Sequence, residues 1–252
     1  MKVYIVGAGA GNLEWLTVQA DRLIRQARIC IYAGSLVNPQ IVDLLPDNCE
    51  RYDSARMCLD EIVAIYAEAR ARDVDVIRLH TGEPSIYGAI GEQMNALAEL
   101  GIDFEMIPGI SAFQAAAAAL QCELTAPGIA QTVILTRTAG RTPLPPEQEL
   151  SRLSQHKATL CIYLSTENIA LICEQLRPFY GDECPAAVVY HASWPDQQII
   201  RGTLLTLHSL VDKTGITRTA LILVGQALGR PKNVSKLYDS SFSHGYRGAR
   251  EP

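Results

Sequence analysis

Two glycine-rich turns, each placed directly after a short apolar run, restrict this chain to folds built on parallel strands. Val3-Tyr4-Ile5-Val6 runs into Gly7-Ala8-Gly9-Ala10-Gly11-Asn12, and Val76-Ile77-Arg78-Leu79 runs into Thr81-Gly82-Glu83-Pro84-Ser85-Ile86-Tyr87-Gly88. A helical pattern follows each. Glycine at the carboxyl end of a parallel strand removes the Cβ that would hold backbone and ligand apart. A third strand and turn, Met106-Ile107-Pro108-Gly109-Ile110-Ser111, repeats the arrangement. Three such turns predict a pocket built along one edge of a sheet.

The rest of the first half alternates in the same way. Strands are predicted over Lys2–Gly7, Arg28–Tyr32, Glu50–Asp53, Asp75–Thr81 and Phe104–Pro108, and helices over Leu16–Gln26, Gln40–Leu45, Leu59–Arg72 and Tyr87–Leu100. Repeated βαβ units imply a mostly parallel sheet. Ser111 and Gln114 form a capping box for the alanine-rich helix Ala112–Leu120. After Pro127-Gly128 the spacing changes. Strands at Gln131–Thr136, Ala158–Leu164, Ala186–Tyr190, Ile199–Gly202 and Ala220–Val224 are separated by helices at Pro146–Gln155, Asn168–Phe179 and Leu204–Lys213. The turn Trp194-Pro195-Asp196 predicts an antiparallel pairing of its flanking strands. The fold class is therefore α/β, with two α/β domains: residues 1–114 with a mostly parallel sheet and residues 115–229 with a mixed one. Residues 230–252 form a polar tail, predicted to be extended or weakly ordered.

Composition narrows the function classes. With 48% hydrophobic and 19% charged residues among 252, the chain has ample core for a globular enzyme. No apolar stretch approaches the roughly 20 residues of a membrane helix, and the N-terminus enters a strand directly, so a cytoplasmic protein is expected. The seven cysteines form no C-x-x-C pair and the five histidines are dispersed, which predicts neither a disulfide framework nor a protein-bound metal. A net charge of -5 argues against nucleic-acid binding, which leaves a basic footprint. An anionic ligand would have to be met by a few placed arginines.

The first turn invites comparison with a dinucleotide fingerprint. That fingerprint needs G-x-G-x-x-G and an acid about 20 residues further on, at the end of the second strand. Here the spacing is G-x-G-x-G, and no carboxylate occurs between Asp21 and Asp43. A nicotinamide-dependent oxidoreductase is disfavoured, and a tight structural turn and a direct cofactor contact both remain open for this segment. In the second turn, Glu83 or Ser85 would serve equally as a helix cap.

Taken together, the motifs resemble the tetrapyrrole (corrin/porphyrin) methylases. GAGAGN matches the family pattern G-x-G-P-G-D, TGEPSIYG matches G-D-P-x-x-Y-G, and PGISAFQAAAA matches P-G-[IVT]-[ST]-[SA]. Ala10, Asn12 and Glu83 depart from the usual proline, aspartate and aspartate. IYAGSLV at 31–37, QTVILTR at 131–137 with GRTP at 140–143, ASWPDQ at 192–197, SKLY at 235–238 and YR at 246–247 resemble the branch acting on precorrin-4 in cobalamin biosynthesis.

The resemblance implies S-adenosylmethionine as co-substrate, bound folded in a cleft between the two domains. It also implies methyl transfer to carbon 11 of precorrin-4, with cobalt-precorrin-4 or another tetrapyrrole position as the alternative, and a homodimer. By motif, the implied cofactor contacts are Ala10, Thr81, Gly82, Glu83, Ile86, Ser111, Ala112, Leu164, Ala192 and a position near Leu223–Gly225. A sulfonium methyl moves to an electron-rich carbon by direct displacement, so no nucleophile is required and the catalytic residue is open. Asp53, Tyr87, Tyr190 and His191 are candidates for polar roles. Arg56, Arg137, Arg141 and Arg201 are candidates for the substrate carboxylates. A non-catalytic tetrapyrrole carrier would share the same motifs.

Overall fold

A computed structural model describes residues 1–34, 36–140, 142–229 and 235–248. The chain divides into two compact units, Met1–Ala116 with His191–Gln197, and Ala117–Tyr190 with Gln198–Pro252.

The first unit contains β1 (Lys2–Gly7), α1 (Val18–Arg25), β2 (Ile29–Tyr32), α2 (Pro39–Val42), β3 (Glu50–Asp53), α3 (Leu59–Ala71), β4 (Val76–His80), α4 (Gly91–Glu99) and β5 (Asp103–Ile107), and the boundary falls within α5 (Ala112–Leu120). Its sheet has the order β3-β2-β4-β1-β5 with every pair parallel. Because side chains alternate across a strand, the inner strands feed two cores. Val6, Cys30, Ile77 and Leu79 pack with Ala20 and Ile24 of α1 and Ile41 of α2. Val3, Ile5, Ile29, Ile31 and Val76 pack with Ile62, Ile65 and Tyr66 of α3 and Leu97 of α4. A strand buried on both faces reads as a continuous apolar run, the pattern seen in β1.

Local chemistry sets the helix starts. Thr17 accepts the Ala20 N–H at 3.1 Å, so α1 begins at Val18. The helix predicted from Tyr87 begins instead at Gly91, because Tyr87 and Ala89 adopt left-handed φ of 55° and 48°, which no continuous helix tolerates.

The second unit contains β6 (Val133–Arg137), α6 (Leu150–Leu153), β7 (Thr159–Tyr163), α7 (Ile169–Tyr180), β8 (Pro185–Tyr190), β9 (Gln198–Thr203), α8 (Leu207–Asp212) and β10 (Ala220–Val224). Its sheet has the order β6-β7-β10-β8-β9, parallel for β6 and β7 and antiparallel elsewhere. Leu160, Ile162, Val188, Ile222 and Val224 pack with Ile172 and Leu176 of α7 and Leu207 and Val211 of α8. The two α/β sheets are thus one parallel and one mixed, and β8 and β9 form the predicted antiparallel pair.

The described part of the tail is folded rather than extended. The Arg247 guanidinium donates to the carbonyls of Leu237 at 2.9 Å, Asp239 at 2.6 Å and Phe242 at 3.4 Å, drawing residues 237–247 into a closed turn.

Candidate active site

β4 and β5 flank β1 in the sheet, so the three glycine-containing turns emerge side by side at its carboxyl edge. Main-chain bonds join the first two: Ala8 N–H donates to His80 O at 2.7 Å, and Gly9 and Gly82 exchange N–H to carbonyl bonds of 3.2 and 2.8 Å. The third packs into them so closely that side chains are excluded. A Cβ on Gly7 would lie 2.6 Å from Gly109 N, and one on Gly109 would lie 2.2 Å from Gly82 O.

Glu83 locks the second turn to the third. One carboxylate oxygen accepts from Ser85 N–H at 3.1 Å and Ser85 Oγ at 2.8 Å, and the other accepts from Gly109 N–H at 2.8 Å. The longer side chain in place of the family's aspartate is thus engaged by the protein itself. Ser111 begins α5 from a buried position, its N–H donating to Gln114 Oε1 at 2.9 Å, which is one half of the predicted capping box.

A fourth segment belongs to this unit although it lies about 80 residues further along the chain. In the loop His191–Gln197, the Trp194 indole N–H donates to Ala10 O at 2.6 Å and Ser193 Oγ accepts Asn12 N–H at 3.1 Å. Asn38 Nδ2 donates to Gly11 O at 2.8 Å from the other side. Gly11 has φ of 137°, and a Cβ there would meet the indole at 2.1 Å. The first and third glycines of this turn, Gly7 and Gly11, therefore admit the neighbouring turns and Trp194. His191 stacks on Trp194 with ring centroids 4.5 Å apart and pairs with Asp196 at 2.9 Å, stiffening the loop that carries the buried Ala192.

Beside the second turn lies a cavity of about 380 Å³, lined in part by Thr81, Ile86 and Tyr87 and floored by Arg78, His80 and Gln93. That volume falls in the range of small-molecule sites, roughly 300–1,000 Å³. Burial and the neighbouring Arg78 cation push the His80 pKa down to about 3, so its imidazole is neutral at pH 7.

The structure thus gathers Ala10, Thr81, Gly82, Glu83, Ile86, Ser111, Ala112 and Ala192 within the first unit, on the turns at one sheet edge and the loop fastened to them. Asp53 is engaged as a staple: its carboxylate accepts Gly34 N–H at 2.8 Å and Ala55 N–H at 2.9 Å, and these bonds hold its pKa below the usual value. Arg56 is exposed on the short turn Ser54–Arg56. Leu164, Tyr190, Arg137 and Arg201 belong to the second unit. Leu164 is 75% exposed with a left-handed φ of 53°. Arg137 donates to the carbonyls of Thr138, Thr142 and Pro143, and Arg201 donates to Leu120 O at 2.7 Å. These arginines brace main chain. Arg141 lies outside the described residues.

Four contributors were missed by sequence reading. Trp194 and Asn38 act through contacts distant in sequence, which no local pattern announces. Arg78 and His80 did leave a signal: two basic residues at i and i+2 in a strand otherwise read as buried.

Residues 2–208 match the sequence profile of the Tetrapyrrole (Corrin/Porphyrin) Methylases. The chain is 48% identical over 249 residues to the cobalt-precorrin-4 C(11)-methyltransferase of Methanocaldococcus jannaschii, covering 98% of this chain and 96% of that one. It is 47% identical over 248 residues to the precorrin-4 C(11)-methyltransferase of Pseudomonas aeruginosa, covering 98% and 99%. Among solved structures, a cobalamin biosynthetic enzyme, cobalt precorrin-4 methyltransferase, superposes with a TM-score of 0.88 at 39% identity, covering 90% of this chain and 95% of that one.

Proposed function

Because this chain belongs to the tetrapyrrole (corrin/porphyrin) methylases, we propose that it transfers a methyl group from S-adenosylmethionine to carbon 11 of precorrin-4 in cobalamin biosynthesis. The observation that carries this reading is the identity of 48% and 47% to two relatives, each across 98% of the chain and both named for that carbon. One name specifies cobalt and the other does not, so the substrate is the precorrin-4 macrocycle, with any cobalt carried in as part of it.

The residues at the sheet edge fit the proposed methyl donor. S-adenosylmethionine supplies an electrophilic methyl on a sulfonium, flanked by polar groups that main-chain amides and carbonyls can meet. The turns offer backbone and small side chains at Ala10, Thr81, Gly82, Ser111, Ala112 and Ala192, with Ile86 as an apolar contact. Glu83 takes a positioning role in this reading, since its carboxylate fixes the third turn against the second.

The chain's task is orientation rather than nucleophilic attack. Holding an electron-rich ring carbon and a methyl group about 3–3.5 Å apart and in line supplies roughly 7–11 kcal/mol of the barrier. A rigid junction of three turns, braced by Trp194, Asn38 and Glu83, is suited to that. A homodimer and a cytoplasmic location complete the proposal. Among the described residues no helix is long and apolar enough to cross a membrane.

Calorimetric titration with S-adenosylhomocysteine tests the cofactor assignment. We expect a dissociation constant of roughly 10 µM or tighter, about -7 kcal/mol. A titration giving no binding heat across that range, whatever the temperature, would sink the methyltransferase reading.

A further inference from the structure

β4 is the central strand of its sheet, yet it carries two basic side chains on one face. Arg78 and His80 share that face with Val76, because strand side chains alternate with period two, and it is the face covered by α3 and α4. Arg78 is 6% exposed and His80 7%. Burying a cation costs several kcal/mol unless an opposite charge and hydrogen bonds compensate.

The compensation inside the protein is incomplete. Arg78 Nε donates to Gln93 Oε1 at 2.9 Å and Nη1 donates to Ile31 O at 3.3 Å, and both acceptors are neutral. Among the described residues no carboxylate lies within ion-pair distance of Arg78. Gln93 is held rigidly in turn. Its Oε1 also accepts from Tyr66 OH at 3.0 Å, and its Nε2 donates to Ala89 O at 3.1 Å. His80 Nε2 is buried with no hydrogen-bond partner. Replacing buried ionic groups by apolar ones is commonly neutral or stabilising, so a lone cation beside an unpaired imidazole is poorly explained as core filling.

Both side chains line the 380 Å³ cavity, where the sole carboxylate among the described lining residues is the exposed Glu92. That space is too small for a whole tetrapyrrole and ample for a pyrrole ring with an acetate or propionate arm. We propose that Arg78 and His80 form the receptor for one carboxylate arm of the macrocycle, with Gln93 as its positioning residue. Arg78 provides the charge and the planar fork that suits a carboxylate. His80, neutral in its buried setting, provides an N–H donor once the arm enters and its orphaned nitrogen gains a partner. Anchoring one arm registers the ring, and thereby selects which ring carbon meets the methyl donor. This rests on the proposed tetrapyrrole substrate.

Three variants test it: Arg78→Lys, Arg78→Gln and Gln93→Glu. Each is measured for KM and kcat with precorrin-4 and for affinity toward S-adenosylhomocysteine by calorimetry. Arg78→Gln is expected to raise KM about 10- to 100-fold, the effect of losing a charge-assisted hydrogen bond. Gln93→Glu is the sharper probe, because it keeps Arg78 and gives it an internal counter-ion. The receptor predicts that KM rises at least about fivefold while S-adenosylhomocysteine affinity stays within about twofold of wild type. Arg78→Lys keeps the charge and loses the fork, so its KM falls between those of wild type and Arg78→Gln. A purely structural Arg78 predicts unchanged KM in any variant that still binds S-adenosylhomocysteine, and that result overturns the receptor. If Arg78→Gln does not fold, Gln93→Glu decides. Failure of the wild-type chain to methylate any tetrapyrrole overturns the functional reading and the receptor with it, whereas unchanged KM in an active variant overturns the receptor alone.

Discussion

Gly109→Ala is expected to destabilise the protein by at least about 3 kcal/mol and to abolish measurable S-adenosylhomocysteine binding. The added Cβ would lie 2.2 Å from Gly82 O, 2.9 Å from Gly7 Cα and 3.0 Å from Gly7 C. All three atoms are main chain, so no side chain can swing aside, and relief requires the three turns to separate. Separation also strains the Gly109 N–H bond to Glu83 Oε2, now 2.8 Å, a charge-assisted contact of about 1.5–3 kcal/mol. Gly91→Ala is the control. Nothing lies within 4 Å of its Cβ position at the start of α4, and the change is expected to be neutral or stabilising by up to about 1 kcal/mol. Urea unfolding checks stability and calorimetry checks binding. A Gly109→Ala protein within about 1 kcal/mol of wild type and with unchanged affinity would refute the close junction as the basis of the site.

The second large effect concerns pH. His80 has a folded-state pKa of about 3, lowered first by burial and then by Arg78, against 6.5 when unexposed to either. Arg78 is the charged group that acts on it. Between pH 6.5 and 3 the unfolded chain binds a proton at this residue that the folded chain does not. Stability therefore falls as pH drops through that window and is fully retained above pH 6.5. The slope is about 1.4 kcal/mol per pH unit, so roughly 2 kcal/mol is lost between pH 6.5 and pH 5. Carboxylates titrate mainly below that interval, which isolates the histidine contribution. His80→Gln is expected to flatten the pH dependence of the urea midpoint over pH 5–6.5. Equal slopes in the variant and wild type would mean that His80 takes up its proton in the folded state.

Much of the fold was legible because the hydrophobic pattern is local. β1, β3 and β10 coincide with the predicted segments, and the parallel and mixed sheets follow from helix-linked strands in one half and a Trp-Pro-Asp turn in the other. The start of α4 was not legible. Tyr87 and Ala89 take left-handed backbone angles that their residue types rarely adopt, on either side of Gly88, which packs closely against Pro84. The site divides along the same line. Turns cued by glycine, proline and serine were visible, whereas Trp194 bonds a carbonyl 184 residues away. Arginine also reads alike wherever it stands. Arg137 and Arg201, candidates for the substrate carboxylates, donate to main-chain carbonyls, while Arg78 was passed over inside an apolar strand.

Incubation of the purified chain with precorrin-4 and S-adenosylmethionine carrying a ¹³C-labelled methyl group tests the central claim most directly. The account predicts a product heavier by one labelled methyl group, with the ¹³C resonance correlated to carbon 11 of the macrocycle. A label attached at any other ring carbon, or no transfer by a chain that binds S-adenosylhomocysteine, would contradict it.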